Sequence, residues 1–169
     1  MHMVLSQRLK TGWLSALLLA IALQPTPGHA GVADPAAALK SLYAGLKATP
    51  RPNTSTIAIL YSWADRKLKR RLMANSVCTI PLRSRDVTCA LRFDPATAGL
   101  DTSLPDPAFT AVAANPNERQ VTVALTDEDV KLEVIYRFAR NAGTWELTDV
   151  EGKPPHTKPW KLSEIIGGN

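Results

Sequence analysis

The stretch Arg119–Val150, RQVTVALTDEDVKLEVIYRFARNAGTWELTDV, decides the fold of this chain. Apolar and polar residues alternate through its first two runs, from Val121 to Leu125 and from Val130 to Phe138. Alternation with a period of two residues is typical of strands that bury one face and expose the other. The pattern therefore indicates a sheet with one apolar face, which other parts of the chain must cover.

Two turns divide this stretch. The acidic segment 126–129 separates the first two runs, and Asn141-Ala142-Gly143 separates the second run from Trp145-Glu146-Leu147. A glycine at the second turn adopts a positive φ at little cost. The sequence therefore predicts a C-terminal meander of three antiparallel strands, in which Trp145 and Leu147 face the core. From Glu151 onward we expect a loop, followed by a short helical turn within 160–166.

Helical patterns precede the meander. Asp34 is suited to cap free N–H groups and Pro35 to the first helical position, so a helix is predicted from here to the Pro-rich segment 49–53. The run 54–61 is apolar and of undetermined type. Ser62 and Asp65 have the spacing of a capping box, which predicts a second helix through about Ala74. Two buried stripes follow at helical spacing: Leu39, Leu42, Tyr43 and Leu46 in the first helix, and Ala64, Leu68 and Leu72 in the second.

The first 30 residues have the pattern of a cleavable export signal. Arg8 and Lys10 precede an uncharged apolar run of eleven residues, Trp13–Leu23, and small residues lead to a cleavage point after Ala30. A membrane span needs roughly 20 apolar residues, so the run is too short to serve as an anchor. No cysteine follows it, which excludes a lipid anchor there. We expect residues 31–169 to be one periplasmic domain without a transmembrane span.

Cys78 and Cys89 are the only cysteines of the chain. In an exported protein a pair of cysteines is expected to form a disulfide bond, because the compartment is oxidising. Their spacing excludes a CxxC redox centre. The segment beyond residue 30 holds a single histidine, His156, so a metal site is not expected, and the acidic residues 127–129 fit a polar turn better than a calcium site.

Positive charge is concentrated in the second predicted helix. Five cations fall within six positions: Arg66, Lys67, Lys69, Arg70 and Arg71. Such a face is either ordinary solvated surface, which is the simpler interpretation, or a docking patch for an acidic partner. The segment 66–92 holds eight basic residues and one acidic residue, whereas 118–151 holds eight acidic and four basic residues. This asymmetry favours an acidic partner in the envelope, and the modest net charge gives no ground for nucleic-acid binding.

Two short motifs resemble a known family. Phe93-Asp94-Pro95 with Gly99-Leu100-Asp101, followed by Val134–Arg137 and Trp145-Glu146-Leu147-Thr148-Asp149-Val150, is similar to the YbjP/YqhG-like family of exported Gram-negative proteins of unknown function. That family in turn resembles the nuclear-transport-factor-2-like (NTF2-like), or cystatin-like, fold. The resemblance implies N-terminal helices packed in a cone on a curved antiparallel sheet. Independently, helices first and antiparallel strands last favour an α+β fold over a small β-sandwich.

A cone of this kind implies a second hypothesis, a pocket between helices and sheet where Asp and Tyr residues transfer protons. The candidates are Tyr43, Tyr61, Asp65, Asp101 and Tyr136. Tyr43 and Tyr136 lie on apolar stripes, however, and are better interpreted as core residues. The chain has no Gly-rich phosphate loop, HExxH or GxSxG motif.

The sequence therefore favours a non-catalytic periplasmic accessory or partner-binding protein without a cofactor. The partner would be another envelope protein or an acidic envelope surface. The alternative is a small-molecule-binding protein or proton-transfer enzyme with an NTF2-like pocket.

Overall fold

The structure, a computed structural model, describes residues 31–48, 56–76, 91, 93–97, 104, 106–127, 130–154 and 158–167. Four helices and five strands lie in these ranges: α1 (Pro35–Ala48), α2 (Thr56–Trp63), α3 (Arg66–Ser76), β1 (Ala108–Asn115), β2 (Glu118–Asp127), β3 (Val130–Asn141), β4 (Thr144–Lys153), β5 (Trp160–Lys161) and α4 (Leu162–Ile165). The strands form one antiparallel sheet in the order β1-β2-β3-β4-β5. The predicted α+β class is confirmed. None of the described helices is long and apolar enough to cross a membrane.

Helix α1 begins where the sequence predicts. The carboxylate of Asp34 accepts a hydrogen bond from the backbone N–H of Ala36 at 2.9 Å, which satisfies one of the free donors at the helix start. The apolar stripe of α1 then packs onto the sheet, with Leu39 and Tyr43 fully buried.

Helices α2 and α3 differ from the prediction at their junction. The apolar run of undetermined type is helix α2 from Thr56, and Ser62 lies inside it. The predicted capping box is therefore wrong. Asp65 caps α3 by itself, because its Oδ1 accepts a hydrogen bond from the N–H of Leu68 at 2.6 Å. The N–H of Asp65 also donates to the carbonyl of Leu147 at 2.8 Å, so this junction fixes both helices to β4.

The stretch that predicts the meander forms β2, β3 and β4 of the five-strand sheet. Val121 pairs with Tyr136 and Phe138 pairs with Leu147, so these alternate side chains share the core face. Trp145 is 8% exposed and Leu147 is 0% exposed, as predicted for core residues. The helices cover this face with Leu60, Leu68, Leu72 and Leu162, among others.

The turn between β3 and β4 adopts the left-handed conformation at two consecutive residues. Ala142 has a φ of 46° and Gly143 a φ of 89°. Two positive φ angles match the right-handed twist of a tight hairpin, and the glycine meets this requirement without strain. Ala142 adopts the same region at a cost, since a Cβ crowds the following carbonyl.

A bulge lies in the middle of β4, where the register shifts opposite Arg137 and Phe138. Thr148 lies at this shift, and its Oγ1 donates to the carbonyl of Arg137 at 3.1 Å. Bulges bend a strand and increase its twist. Beyond the bulge β4 continues to Lys153, which corrects the expectation of a loop from Glu151. Gly152 near its end lies against the indole of Trp160, where a Cβ would overlap the ring.

Candidate functional site

A pair of buried tyrosines joins helix α1 to the centre of the sheet. The hydroxyl groups of Tyr43 and Tyr136 lie 3.0 Å apart, and their rings meet edge to face with centroids separated by 6.5 Å. Tyr43 is 1% exposed and Tyr136 is 0% exposed. The structure therefore brings together two of the five residues that the sequence suggested for a pocket.

The hydrogen bonds of this pair have a defined direction. The hydroxyl of Tyr43 lies 2.7 Å from the carbonyl oxygen of Ala96, which only accepts, so the single hydroxyl hydrogen of Tyr43 is donated there. Tyr136 must then donate its own hydrogen to the oxygen of Tyr43. The result is a chain from Tyr136 through Tyr43 to Ala96 in which every buried hydroxyl has a partner.

The carboxylate near this pair belongs to Asp94, which is not among the five residues predicted for the pocket. Asp94 accepts hydrogen bonds from the N–H of Ala96 at 2.8 Å and from the hydroxyl of the buried Thr56 at 2.7 Å. Asp94 thus holds the Ala96 carbonyl in place for Tyr43. An Asp-Pro pair followed by Ala-Thr is a signal for such a turn, since an Asp side chain binds the N–H two residues later.

The other three pocket candidates do not join this cluster. Asp65 caps α3, and the ring of Tyr61 faces the Nζ of Lys69 at 5.9 Å from its centroid. Asp101 lies outside the described residues, as do Cys78, Cys89 and His156.

Burial raises the pKa of Tyr43 and of Tyr136 above the usual value, because an ionised phenolate would lose its hydration. For Tyr136 the charge and hydrogen bond of Tyr43 act on the pKa in the same direction. For Tyr43 the hydrogen bond from Tyr136 opposes this rise only in part. Both hydroxyls therefore stay protonated at neutral pH, which suits a structural hydrogen bond rather than a general base.

The cations of α3 form the second candidate site, and the structure divides them into two groups. Arg66, Lys67 and Arg70 are exposed, whereas Lys69 and Arg71 are half-buried. Arg71 donates from Nη1 to the carbonyl of Ser163 at 2.9 Å and so holds α4 against α3. We call the exposed set Arg66, Lys67 and Arg70 the basic face.

The basic face has no carboxylate partner among the described residues. Two of the acidic residues of the sheet are engaged elsewhere. Arg137 binds Glu151 through two hydrogen bonds of 2.7 and 3.2 Å, which lowers the pKa of that glutamate. Asp149 accepts hydrogen bonds from both the N–H and the hydroxyl of Ser163. The described carboxylates therefore leave the basic face without an ion pair.

The described residues contain no group of three or more His, Cys, Asp or Glu side chains placed to hold a metal ion. Comparison of the chain with protein-family models, with curated proteins and with solved structures finds no match.

Proposed function

We propose that this chain is a non-catalytic periplasmic accessory protein that binds an acidic envelope partner through the basic face of α3. The observation that supports the proposal is the set of exposed cations, Arg66, Lys67 and Arg70, with no carboxylate partner in the described part of the chain. Like charges on adjacent turns repel one another, so an isolated helix would be destabilised by them. An acidic partner relieves that repulsion.

The basic face is carried by a rigid element. Leu68 and Leu72 are each 2% exposed on the opposite side of α3, and Arg71 ties the helix to Ser163. Binding therefore needs little ordering of the backbone that carries the cations, which favours association.

The partner we favour is a phosphate-bearing membrane surface. Met73 is 57% exposed on the same helix, at i+3 from Arg70 and i+7 from Arg66. Cations with an adjacent apolar side chain suit the boundary between headgroups and acyl chains. Each cation near an anionic surface contributes about 1 kcal/mol, and the contribution falls off within a Debye length.

We expect the protein to bind vesicles containing phosphatidylglycerol and not vesicles of phosphatidylcholine alone. Binding should weaken from 0.1 to 1 M salt, because the Debye length falls from about 10 to about 3 Å. The double variant Arg66→Glu/Arg70→Glu should bind at least about tenfold more weakly at low salt, since roughly 1 kcal/mol is removed for each cation. Vesicle co-sedimentation measures both effects.

The matched control is Lys40→Glu/Lys158→Glu, which makes the same charge change at two exposed lysines outside α3. It should bind nearly as well as the wild type. Equal losses of binding in both double variants would show that net charge alone drives binding. Loss of binding to an acidic protein in lipid-free extract, seen only in the α3 variant, would assign the face to a protein partner instead.

The compartment is part of the proposal. A signal cleaved after Ala30 leaves Gly31 as the first residue, and an oxidising compartment joins Cys78 to Cys89. Intact mass spectrometry of protein from the periplasm should give the mass of residues 31–169 less two hydrogen atoms, restored on reduction. An uncleaved chain or two free thiols would contradict these two expectations separately.

We also propose that the helices and sheet form an NTF2-like cone, as the resemblance to the YbjP/YqhG-like family implies. The order of elements and the bulge in β4 support this, since a bulge bends a sheet. An experimental structure with a flat sheet would count against it.

The competing function is a small-molecule or proton-transfer pocket. Its support is the convergence of Tyr43 and Tyr136 near Asp94. The pair is fully buried and hydrogen-bonded, so a structural role already accounts for it. A ligand that raises the Tm of the wild type but not of Tyr136→Phe would favour the pocket.

A further inference from the structure

Strand β1 is an edge of the sheet, and among the described residues only β2 pairs with it. It pairs with β2 on one side, and every residue of Ala108–Asn115 except Phe109 is exposed. Val112, a large apolar residue of this strand, is 52% exposed. An edge strand presents a row of backbone N–H and C=O groups, which is a template for another strand.

Most of the usual protections of a sheet edge are missing from residues 108–113 of β1, and the one irregularity of its pairing with β2 is the register shift between Ala113 and Asn115 at the end of the strand. Residues 108–114 read AFTAVAA and contain no charge and no proline. Natural edge strands are commonly blunted by an inward lysine, a proline or a very short length. The opposite edge shows the contrast, because β5 has only two residues, one of them Lys161, and leads directly into α4.

We propose that β1 pairs with β1 of a second copy of this chain, antiparallel, to give a continuous ten-stranded sheet across a twofold axis. The register we infer places Ala111 opposite Ala111 of the partner subunit. Residues directly opposite in an antiparallel pair lie on the same face, so the axis must pass a residue position and not the space between two residues. This register pairs the regular, uncharged segment 109–113 with itself, and Ala114 beyond it lies at the register shift of β1.

The side chains in this register are complementary in size. Phe109 lies opposite Ala113 of the partner subunit, on the face that carries the core. Thr110 lies opposite Val112 of the partner subunit on the other face, and two β-branched residues form a favourable cross-strand pair. Phe109 already packs edge to face against Tyr43 at 5.8 Å, and a partner strand would cover its remaining exposed side.

A second copy is a better occupant than a flexible peptide because its strand is already ordered. A disordered peptide pays the entropy of ordering when it binds, whereas β1 is held extended by seven paired positions with β2. A twofold dimer also pairs the β1 edges of both copies with each other, so neither β1 edge is left to recruit further copies.

Sedimentation velocity tests the dimer. A single pair of edge strands is a small interface, so we expect a dimer with a Kd on the order of micromolar. Val112→Lys places like charges near the twofold axis. It should raise the Kd of the dimer at least tenfold without changing the circular dichroism spectrum. Ala74→Lys is the control, because it adds the same charge at an exposed site on α3. A wild type that stays monomeric at about 100 µM would overturn the proposal.

Cross-linking tests the register. Opposed strand residues have Cα atoms about 4.5–5.5 Å apart, within the range of a disulfide bond, so Ala111→Cys should form a covalent dimer under mild oxidation. Ala108→Cys is the control on the same strand, because it lies opposite Ala114 of the partner subunit and about 20 Å from its own counterpart. Peptide mapping should recover the 111–111 link. Equal cross-linking of both variants would contradict the register. A protein that stays monomeric and binds extended peptides at β1 would contradict the proposal that a second copy of the chain pairs with this edge.

Discussion

Replacing Trp145 with alanine should lower the free energy of unfolding by about 3–5 kcal/mol, the range for truncating a large aromatic residue in a core. Trp145 is 8% exposed and lies among the buried side chains of the core cluster. Its backbone also exchanges two hydrogen bonds with Val32: the N–H of Val32 donates to the carbonyl of Trp145 at 2.8 Å, and the N–H of Trp145 donates to the carbonyl of Val32 at 2.9 Å. The guanidinium of Arg119 lies 4.6 Å from the ring centroid, so the wild type also has a cation–π interaction that alanine cannot make.

Urea unfolding of a protein that comprises residues 31–169 measures this decrease. At an unchanged m-value, the shift of the urea midpoint gives the loss in free energy of unfolding. Trp145→Phe is the conservative control and should retain a large part of the stability, since it keeps an aromatic ring against Arg119. Trp63→Ala is a second comparison, because Trp63 is only partly buried and should cost less. A midpoint for Trp145→Ala close to that of the wild type would show that the ring does not contribute to the core.

The meander is predictable because its information is local. The side chains of β3 alternate between faces, and the turn that follows contains the glycine that its backbone needs. The bulge at Thr148 is not predictable in this way, because it appears only when β4 is aligned with Arg137 on β3. Alternation in the sequence defines which residues share a face but not where one strand takes an extra residue.

The junction of α2 and α3 shows why helix ends are harder to predict. Ser62 and Asp65 have the spacing of a capping box, and local chemistry alone cannot tell it from two helices that meet at this point. The choice is made by β4, whose Leu147 carbonyl accepts the N–H of Asp65. A contact across more than eighty residues thus overrides the local pattern.

The candidate sites divide in the same way. The basic face follows from helical spacing, since Arg66 and Arg70 are four positions apart and Leu68 turns inward. Apolar stripes identify the two tyrosines as core residues, but their hydroxyl contact depends on how α1 crosses the sheet. Sequence reasoning misses Asp94 because its role is to hold the carbonyl of Ala96, a backbone atom that no side-chain pattern reveals.

The direction of the tyrosine hydrogen bonds predicts unequal costs for two otherwise similar substitutions. Tyr43→Phe leaves both the Ala96 carbonyl and the Tyr136 hydroxyl buried without a partner, so it should cost about 2–3 kcal/mol. Tyr136→Phe removes a donor and leaves the bond from Tyr43 to Ala96 intact, so it should cost about 1 kcal/mol. Adding Tyr136→Phe to Tyr43→Phe should cost little more, because it removes the stranded hydroxyl.

A double-mutant cycle from urea unfolding measures this non-additivity. Equal costs for the two single variants would contradict the donor assignment.

The same pair should make the protein sensitive to alkaline pH. An unfolded tyrosine ionises near pH 10, and burial raises the pKa of both residues above that value in the folded chain. The folded state then holds protons that the unfolded state releases, so stability is intact below about pH 10 and falls as the pH rises beyond it. The free energy of unfolding should therefore decline more steeply above pH 10 in the wild type than in Tyr43→Phe/Tyr136→Phe.

Tyr61→Phe is the control, since Tyr61 is the third tyrosine of the chain and lies outside the pair. An alkaline decline that is unchanged in the double variant would show that other groups cause it.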